Sequence, residues 1–333
     1  TLFPYTTLFR SDVLEECMTM YVHTEDGKKD FVRELTRKCF VNGIRIKNVQ
    51  HLSKKNGRNA IVFQARTVGR SCVAAKKVVP VLTEVLRSGY YPDDSNRRII
   101  NEEYHQYIFI QEDRFKLLSG VARMNKGKSH FNGDNFLISR LECGKAIAAI
   151  ADGMGSGKRA YIESRMVIEL MENCIDAGFD EKASIDLINS AYIAGGGTGN
   201  PVTMDMSVID CQSGYMHCMK LGAVSTFIRR DKWVEIIQST TLPMGVLEQV
   251  DYDCTTKKLY DGDYIVMVSD GVLDNIPCVN KEERMAQMIH ALTIREPSAM
   301  AEKLLEQSLA YNDMKASDDC TVLVLGLFDT YEK

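Results

Sequence analysis

The chain has 333 residues, 45% of them hydrophobic and 26% charged, with a formal net charge of −4. A length of this order holds about two domains, and the balance is that of a folded globular protein rather than a disordered or fibrous one. Ten cysteines without a CxxC pair exclude a zinc ribbon and a secreted disulfide scaffold, leaving reduced, buried thiols as the expectation; no apolar run approaches the roughly 18 residues that cross a bilayer.

The opening TLFPYTTLFRSD lacks both a basic region and a small-residue cleavage site, so it is a poor signal peptide, and residues 1–11 read as a non-native, adaptor-like leader. Residues 1–130 carry 23 Lys and Arg against 14 Asp and Glu, the remainder 18 against 31, which marks two modules of different character. In the first, DFVRELTRKCFVNG places Phe31, Leu35 and Phe40 at helical spacing before a stop at Gly43. IKNVQHLSKKNGRNAIVFQAR alternates about Lys55-Asn56-Gly57, a hairpin signal. AKKVVPVLTEVLRSG predicts a second helix, interrupted or begun near Pro80. Lys54, Lys55, Arg58, Arg66, Arg70, Lys76 and Lys77 lack the aromatic interleaving of a nucleic-acid surface, so they read as a solvated face and no nucleic-acid partner is expected. YYPDDSNRRIINEE has a linker's composition, which sets a boundary near residue 100 and gives domains at 12–100 and 101–329.

Beyond that boundary the texture changes to short strands punctuated by Gly, Asp and Asn. HQYIFIQ, FKLLSGVARM, NFLISRLECGKAIAAIAD, VTMDMSVIDCQSGYMHCMKLG, STFIRRDKWVEII, YDCTTKKLYDGDYIVMVSD and CTVLVLGLF are strand-like. Two helical pairs interrupt them, 157–177 with 181–194 and 282–292 with 297–311. Consecutive tight turns leave no room for crossover helices, so the sheets are expected to be antiparallel. Strand runs with segregated helix pairs predict an α+β fold, sheets face to face and helices outside.

The glycine-rich stretch ADGMGSGKRA, residues 151–160, invites a nucleotide-loop reading, which fails. Counting back from Gly157-Lys158 puts Asp152 where a phosphate loop needs glycine, and Arg159 stands where it needs Ser or Thr. The connection GGGTGNP at 195–201 reads as a flexible link, with a phosphate nest as the minor alternative. A metal reading gains from the other carboxylates. Asp134 stands at a strand start, Asp152 and Asp270 follow apolar strands as Asp-Gly pairs, and Asp318 and Asp319 precede the last strand. One such Asp is most often a turn or cap residue. Four acidic stations converging on one cleft would repel unless a divalent cation neutralised them, and all-oxygen ligands select magnesium or manganese over zinc. A glycine beside Asp152 lets the Gly153 carbonyl approach the ion.

GDNF, ADGMGSGKRA, LPMGVLE, DGDYIVMVSDGVLDN and DDCTVLVL occur in the order found in metal-dependent PPM/PP2C-type serine/threonine phosphatases, and the chain resembles the sporulation branch of that family over residues 45–328. The resemblance implies a four-layer α-β-β-α sandwich and two Mn2+ or Mg2+ ions that activate water against a phosphoserine. By motif, Asp152 would bridge both ions, the Gly153 carbonyl would bind one, and Asp270 and Asp318 would hold the first; Asp134 would act directly or through water, with Asp319 behind the ligands. The phosphate-binding arginine of eukaryotic relatives has no counterpart. The implied substrate is a phosphorylated anti-anti-sigma factor of STAS type, whose hydrolysis releases a sporulation sigma factor. Residues 12–100 would be the tail of a regulatory segment that self-associates and contacts an FtsZ-like division protein. The implied location is cytoplasmic for this fragment, with full-length members anchored in the membrane at the division septum, and the helical pair at 157–194 would act as an activity switch. A two-metal nuclease and a catalytically inactive interaction module are the alternatives.

Overall fold

The computed structural model describes residues 21–23, 28–54, 58–127, 130–141, 144–155, 157–194, 200–247 and 252–330. The expected leader, the Lys55-Asn56-Gly57 turn and most of the 195–201 connection lie outside the described residues. The chain divides into two compact units, one ending at Arg114 and taking in Glu142–Gly144, the other comprising Phe115–Leu141 and Lys145 onward.

The first unit contains β1 (Tyr21–His23), α1 (Lys28–Val41), β2 (Ile44–Lys54), β3 (Ala60–Thr67), β4 (Val73–Ala74), α2 (Val79–Leu86), β5 (Tyr90–Pro92), β6 (Ile99–Ile100) and β7 (His105–Gln111). Its main sheet is antiparallel in the order β1-β2-β3-β7-β5. The helices cover one face of it: Leu35 and Cys39 of α1 and Leu82 of α2 pack on Ile44, Ile61, Phe63, Tyr107 and Phe109. The buried stripe of α1 therefore runs through Cys39, whose thiol burial pushes up to about 12, while Phe40 is 51% exposed. α2 carries Pro80 in its first turn, where no intrahelical donor is lost. The sequence boundary near residue 100 is corrected by pairing. β7 hydrogen-bonds to β3 from Ala65↔His105 to Ala60↔Ile110, so HQYIFIQ completes the first sheet and the division falls at Arg114.

The second unit is an α-β-β-α sandwich. In chain order it holds β8 (Phe115–Met124), β9 (Asp134–Arg140), β10 (Lys145–Gly153), α3 (Lys158–Asp176), α4 (Glu181–Ala194), β11 (Val202–Asp210), β12 (Tyr215–Leu221), β13 (Thr226–Arg229) and β14 (Val234–Ile237). There follow β15 (Asp253–Lys258), β16 (Tyr264–Val268), α5 (Asp270–Asp274), α6 (Lys281–Ala291), α7 (Pro297–Leu309) and β17 (Cys320–Asp329). Two antiparallel sheets result, β15-β12-β11-β10-β9 and β14-β13-β16-β17-β8. Strand alternation explains the layers. Ala148 and Ile150 of β10 meet Ile265, Met267, Leu323 and Leu325 between the sheets. Val266, Val268, Val322 and Val324, one residue out of step, pack instead on Met285, Ile289, Met300 and Leu304 of α6 and α7. Strands buried on both faces read as continuous apolar runs, which is how IVMVS and CTVLVLGLF stand in the sequence. α3 lies on β9 and β10, with α4 against α3. Among the described cysteines none is paired, and Cys72, Cys254 and Cys278 are exposed rather than buried.

One charge pair is built into the inter-sheet core. Lys220 on β12 stands opposite Asp205 on β11, with side chains 1% and 3% exposed and Nζ–Oδ2 at 2.6 Å. Lys220 also donates to the Val224 carbonyl at 2.6 Å, and Asp205 Oδ2 accepts from Thr226 Oγ1. Removing one partner strands the other charge in the core. Lys220→Ala is therefore expected to cost about 3–5 kcal/mol of unfolding free energy in urea titrations; a loss below about 1 kcal/mol would show that Asp205 is relieved by water or protonation.

Candidate active site

The strands deliver carboxylates to one end of the second sandwich. Asp134 opens β9 and Asp152 nearly closes β10, and the two are direct cross-strand partners in the antiparallel register. Asp152 follows Ile150 by two residues and so shares its inter-sheet face. On the other sheet, Asp270 begins α5 immediately after β16, with Ser269 at the N-cap. Asp318 and Asp319 lead into β17, which pairs with β16.

Two glycines allow these segments to close up. A Cβ on Gly153 would strike the Ala160 carbonyl of α3, and one on Gly271 would strike the Asp319 carbonyl. The first contact holds α3 against the end of β10; the second brings the start of α5 onto the segment before β17.

Burial and mutual repulsion dominate the electrostatics. Desolvation, then the charges of Asp134 and Asp270, raise Asp152 to about 9. Asp134 is raised to about 6, chiefly by burial, with Asp270 and Asp319 adding to the rise. Burial also raises Asp270, opposed by the Gly271 amide, with Asp274 and Asp318 contributing in the same upward direction. Hydrogen bonding toward the Thr321 and Ser269 hydroxyls pulls Asp134 back toward its usual range, but in loose geometry: both Asp134 carboxylate oxygens, and Thr321 Oγ1, are buried without a well-formed hydrogen bond.

The remaining members differ in kind. Asp319 is already engaged, its Oδ1 accepting from the Lys126 amide and its Oδ2 from the Gly133 amide, both at 2.7 Å. Asp318 is half open to solvent and has Lys126 Nζ 3.5 Å from Oδ1. Arg123 reaches the Asp134 main-chain carbonyl. A cavity of about 90 Å³ opens beside Asp152 and Asp270 and is also lined by Ile150, Thr203, Asp205, Val224 and Ser269. A larger cleft of about 470 Å³, between β14 and α6, contains none of the carboxylates. Among the described residues no three His, Cys, Asp or Glu side chains enclose a metal-sized point as they stand. The donor set is nevertheless all oxygen, and Asp134's unpartnered oxygens suit a hard divalent cation.

The stage II sporulation protein E (SpoIIE) family model matches residues 143–328, more than half of the chain. The chain belongs to the SpoIIE family. It is 29% identical over 286 residues to stage II sporulation protein E of Bacillus subtilis (strain 168), covering 86% of this chain and 34% of that protein. It is 30% identical over 253 residues to the Priestia megaterium protein, covering 76% and 43%. The chain thus spans less than half the length of either relative. A solved structure of the PP2C phosphatase domain with a fragment of the regulatory domain of Bacillus subtilis SpoIIE matches with a TM-score of 0.69 at 26% identity, covering 98% of this chain and 96% of that one. The fold is that of the PP2C phosphatase domain.

Within this SpoIIE fold, Thr203, Asp205 and Ser269 line the cavity and Thr321 acts on Asp134, placements that sequence reasoning missed. The first two had a usable signal, since Thr203 and Asp205 alternate on VTMD, the strand that follows the expected helical pair. A pH dependence follows from the raised carboxyls. An acid with a higher pKa folded than unfolded binds more protons when folded, so stability falls as pH rises between the two values. For Asp152 that window runs from 3.8 to about 9. Metal-free chain is expected to resist urea better near pH 5 than near pH 8, and Asp152→Asn is expected to flatten the difference; stability rising over that interval would contradict the raised value.

Proposed function

We propose that the second unit is a metal-dependent protein serine phosphatase that hydrolyses phosphoserine on an anti-anti-sigma factor of STAS type, with the first unit forming part of a regulatory, self-associating segment. The observation that carries the reading is the pair of buried, unpartnered Asp134 oxygens beside an Asp152 raised to about 9. A group of carboxylates this costly to ionise is complete only with cations among them. Family membership supports the class of reaction, and the motif positions support the assignment of roles.

Asp152 would be shared by two Mn2+ or Mg2+ ions, the Gly153 carbonyl would add to one, and Asp270 and Asp318 would hold the first. Asp134 would act directly or through water, and Asp319 would act through the loop it binds. When bound, such ions supply Lewis acidity toward a phosphoryl group and an attacking water, so no side-chain nucleophile is needed. Asp152 and Asp270 wall the cavity, and Lys126, 3.5 Å from Asp318, would add a positive charge beside the carboxylates.

The test is phosphate release from a phosphoserine-bearing anti-anti-sigma protein with manganese, with chelator, and with Asp152→Ala. Release that needs manganese and falls at least about 10³-fold in the variant is expected, as for loss of a group acting in the transition state. Release that survives chelation or the substitution would remove the proposed site.

A further inference from the structure

Beside the carboxylates lies a hydrogen-bond node centred on Gly133. Its amide donates to Asp319 Oδ2 at 2.7 Å. Its carbonyl accepts twice, from the Gly153 amide at 3.3 Å and from Ser164 Oγ at 2.5 Å. Ser164 stands in the second turn of α3, fully buried, and its oxygen accepts from Asn135 Nδ2 at 2.8 Å. Asn135 Nδ2 lies 3.1 Å from the Tyr161 carbonyl as well. One hydroxyl of α3 therefore touches the residues on both sides of Asp134, and through Gly133 it reaches the residue after Asp152.

A buried helical serine ordinarily satisfies its hydroxyl on the preceding turn, and Ser164 has that option, with the Ala160 carbonyl at 3.0 Å. The hydroxyl has one proton to donate. The shorter contact is the one that leaves the helix. Its place matters because Asp134↔Asp152 is the last paired position of β9 with β10, and the Gly153–Gly133 bond just beyond it is long. Bonds at the end of a ladder open first. A second donor on the same carbonyl, fixed in a packed helix, restrains the segment that carries Asp134 and the Gly153 carbonyl.

We propose that Ser164 is a positioning residue of this site, holding Gly133 and Asn135 so that Asp134 and the Gly153 carbonyl keep their places between the sheets. Its consequence for metal affinity rests on the metal-dependent reading above; the restraint on the loop does not. The two are separated by measuring each on the same proteins.

Hydrogen exchange on the metal-free chain and manganese calorimetry are compared for wild type, Ser164→Ala and Ser184→Ala. Ser184 is an equally buried helical serine, on α4, bonded to the Asp180 carbonyl. In Ser164→Ala the Gly133, Asp134 and Gly153 amides are expected to exchange at least about tenfold faster. Manganese affinity is expected to fall about 10–100-fold, the usual effect of losing a group that orients metal ligands, with Ser184→Ala moving neither by more than about threefold. Unchanged exchange at Gly153, an equal effect from Ser184→Ala, or faster exchange with wild-type affinity would each overturn the proposal. Ser164→Cys, nearly isosteric but a weak donor, should shift both readouts in the same direction and serves if the alanine variant does not fold. If wild type binds no manganese, the metal reading fails on its own, and exchange alone decides Ser164.

Discussion

Crowding carboxylates at one end of two packed sheets is the constraint around which the second unit is arranged. Each of Asp134, Asp152 and Asp270 is raised first by burial and then by its neighbours. The surrounding structure relieves the problem piecemeal: Asp319 accepts two main-chain amides, Gly271 opposes the rise at Asp270, and Lys126 stands by Asp318. None of this reaches the oxygens of Asp134. The contrast with Asp205 is instructive, because that equally buried carboxylate has its own ammonium at 2.6 Å. The fold can pair a buried Asp with its own ammonium, and the Asp134 oxygens have no such hydrogen-bonded cation. Carboxyls this costly to ionise are the kind of donors that an external cation would relieve.

The sandwich supplies such a place as a by-product of its alternation. Residues two apart on β10 share a face, so the register that puts Ile150 into the inter-sheet core also turns Asp152 toward the gap between the sheets. Ala149 and Ala151, on the opposite face of β10, are fully buried; α3 lies over β9 and β10, and Gly153 is close to Ala160. Hydrophobic burial thus fixes the direction of the acidic side chain at no separate cost. On the second sheet β16 and β17 act likewise, β16 ending two residues before Asp270 and β17 beginning after Asp319.

Helices and strands with strong local periodicity were legible: the expected 157–177 and 181–194 pair is found as Lys158–Asp176 and Glu181–Ala194. The acidic stations were legible because Asp-Gly after an apolar run is a local pattern. What could not be read depends on pairing across distance. HQYIFIQ follows a linker-like stretch, yet its partner β3 lies some forty residues upstream. Cys39 rather than Phe40 faces the core of the first unit, a choice settled by what the helix packs on. Asp205 and Lys220 are an unremarkable Asp and Lys until β11 and β12 align, and Ser164 is one more helical serine until Gly133 comes to meet it.

Contacts that no side-chain pattern announces also tie α3 to the carboxylates. Ala160 meets Gly153 where a Cβ would not fit, and one turn later Ser164 bonds the Gly133 carbonyl. Two contacts on successive turns leave the helix little freedom to tilt without moving either the end of β10 or the start of β9. Packed interiors shift between discrete arrangements rather than deform smoothly. The position of α3 and the placement of Asp134 and Asp152 are therefore one structural variable: whatever holds the helix in place also holds the carboxylates in register.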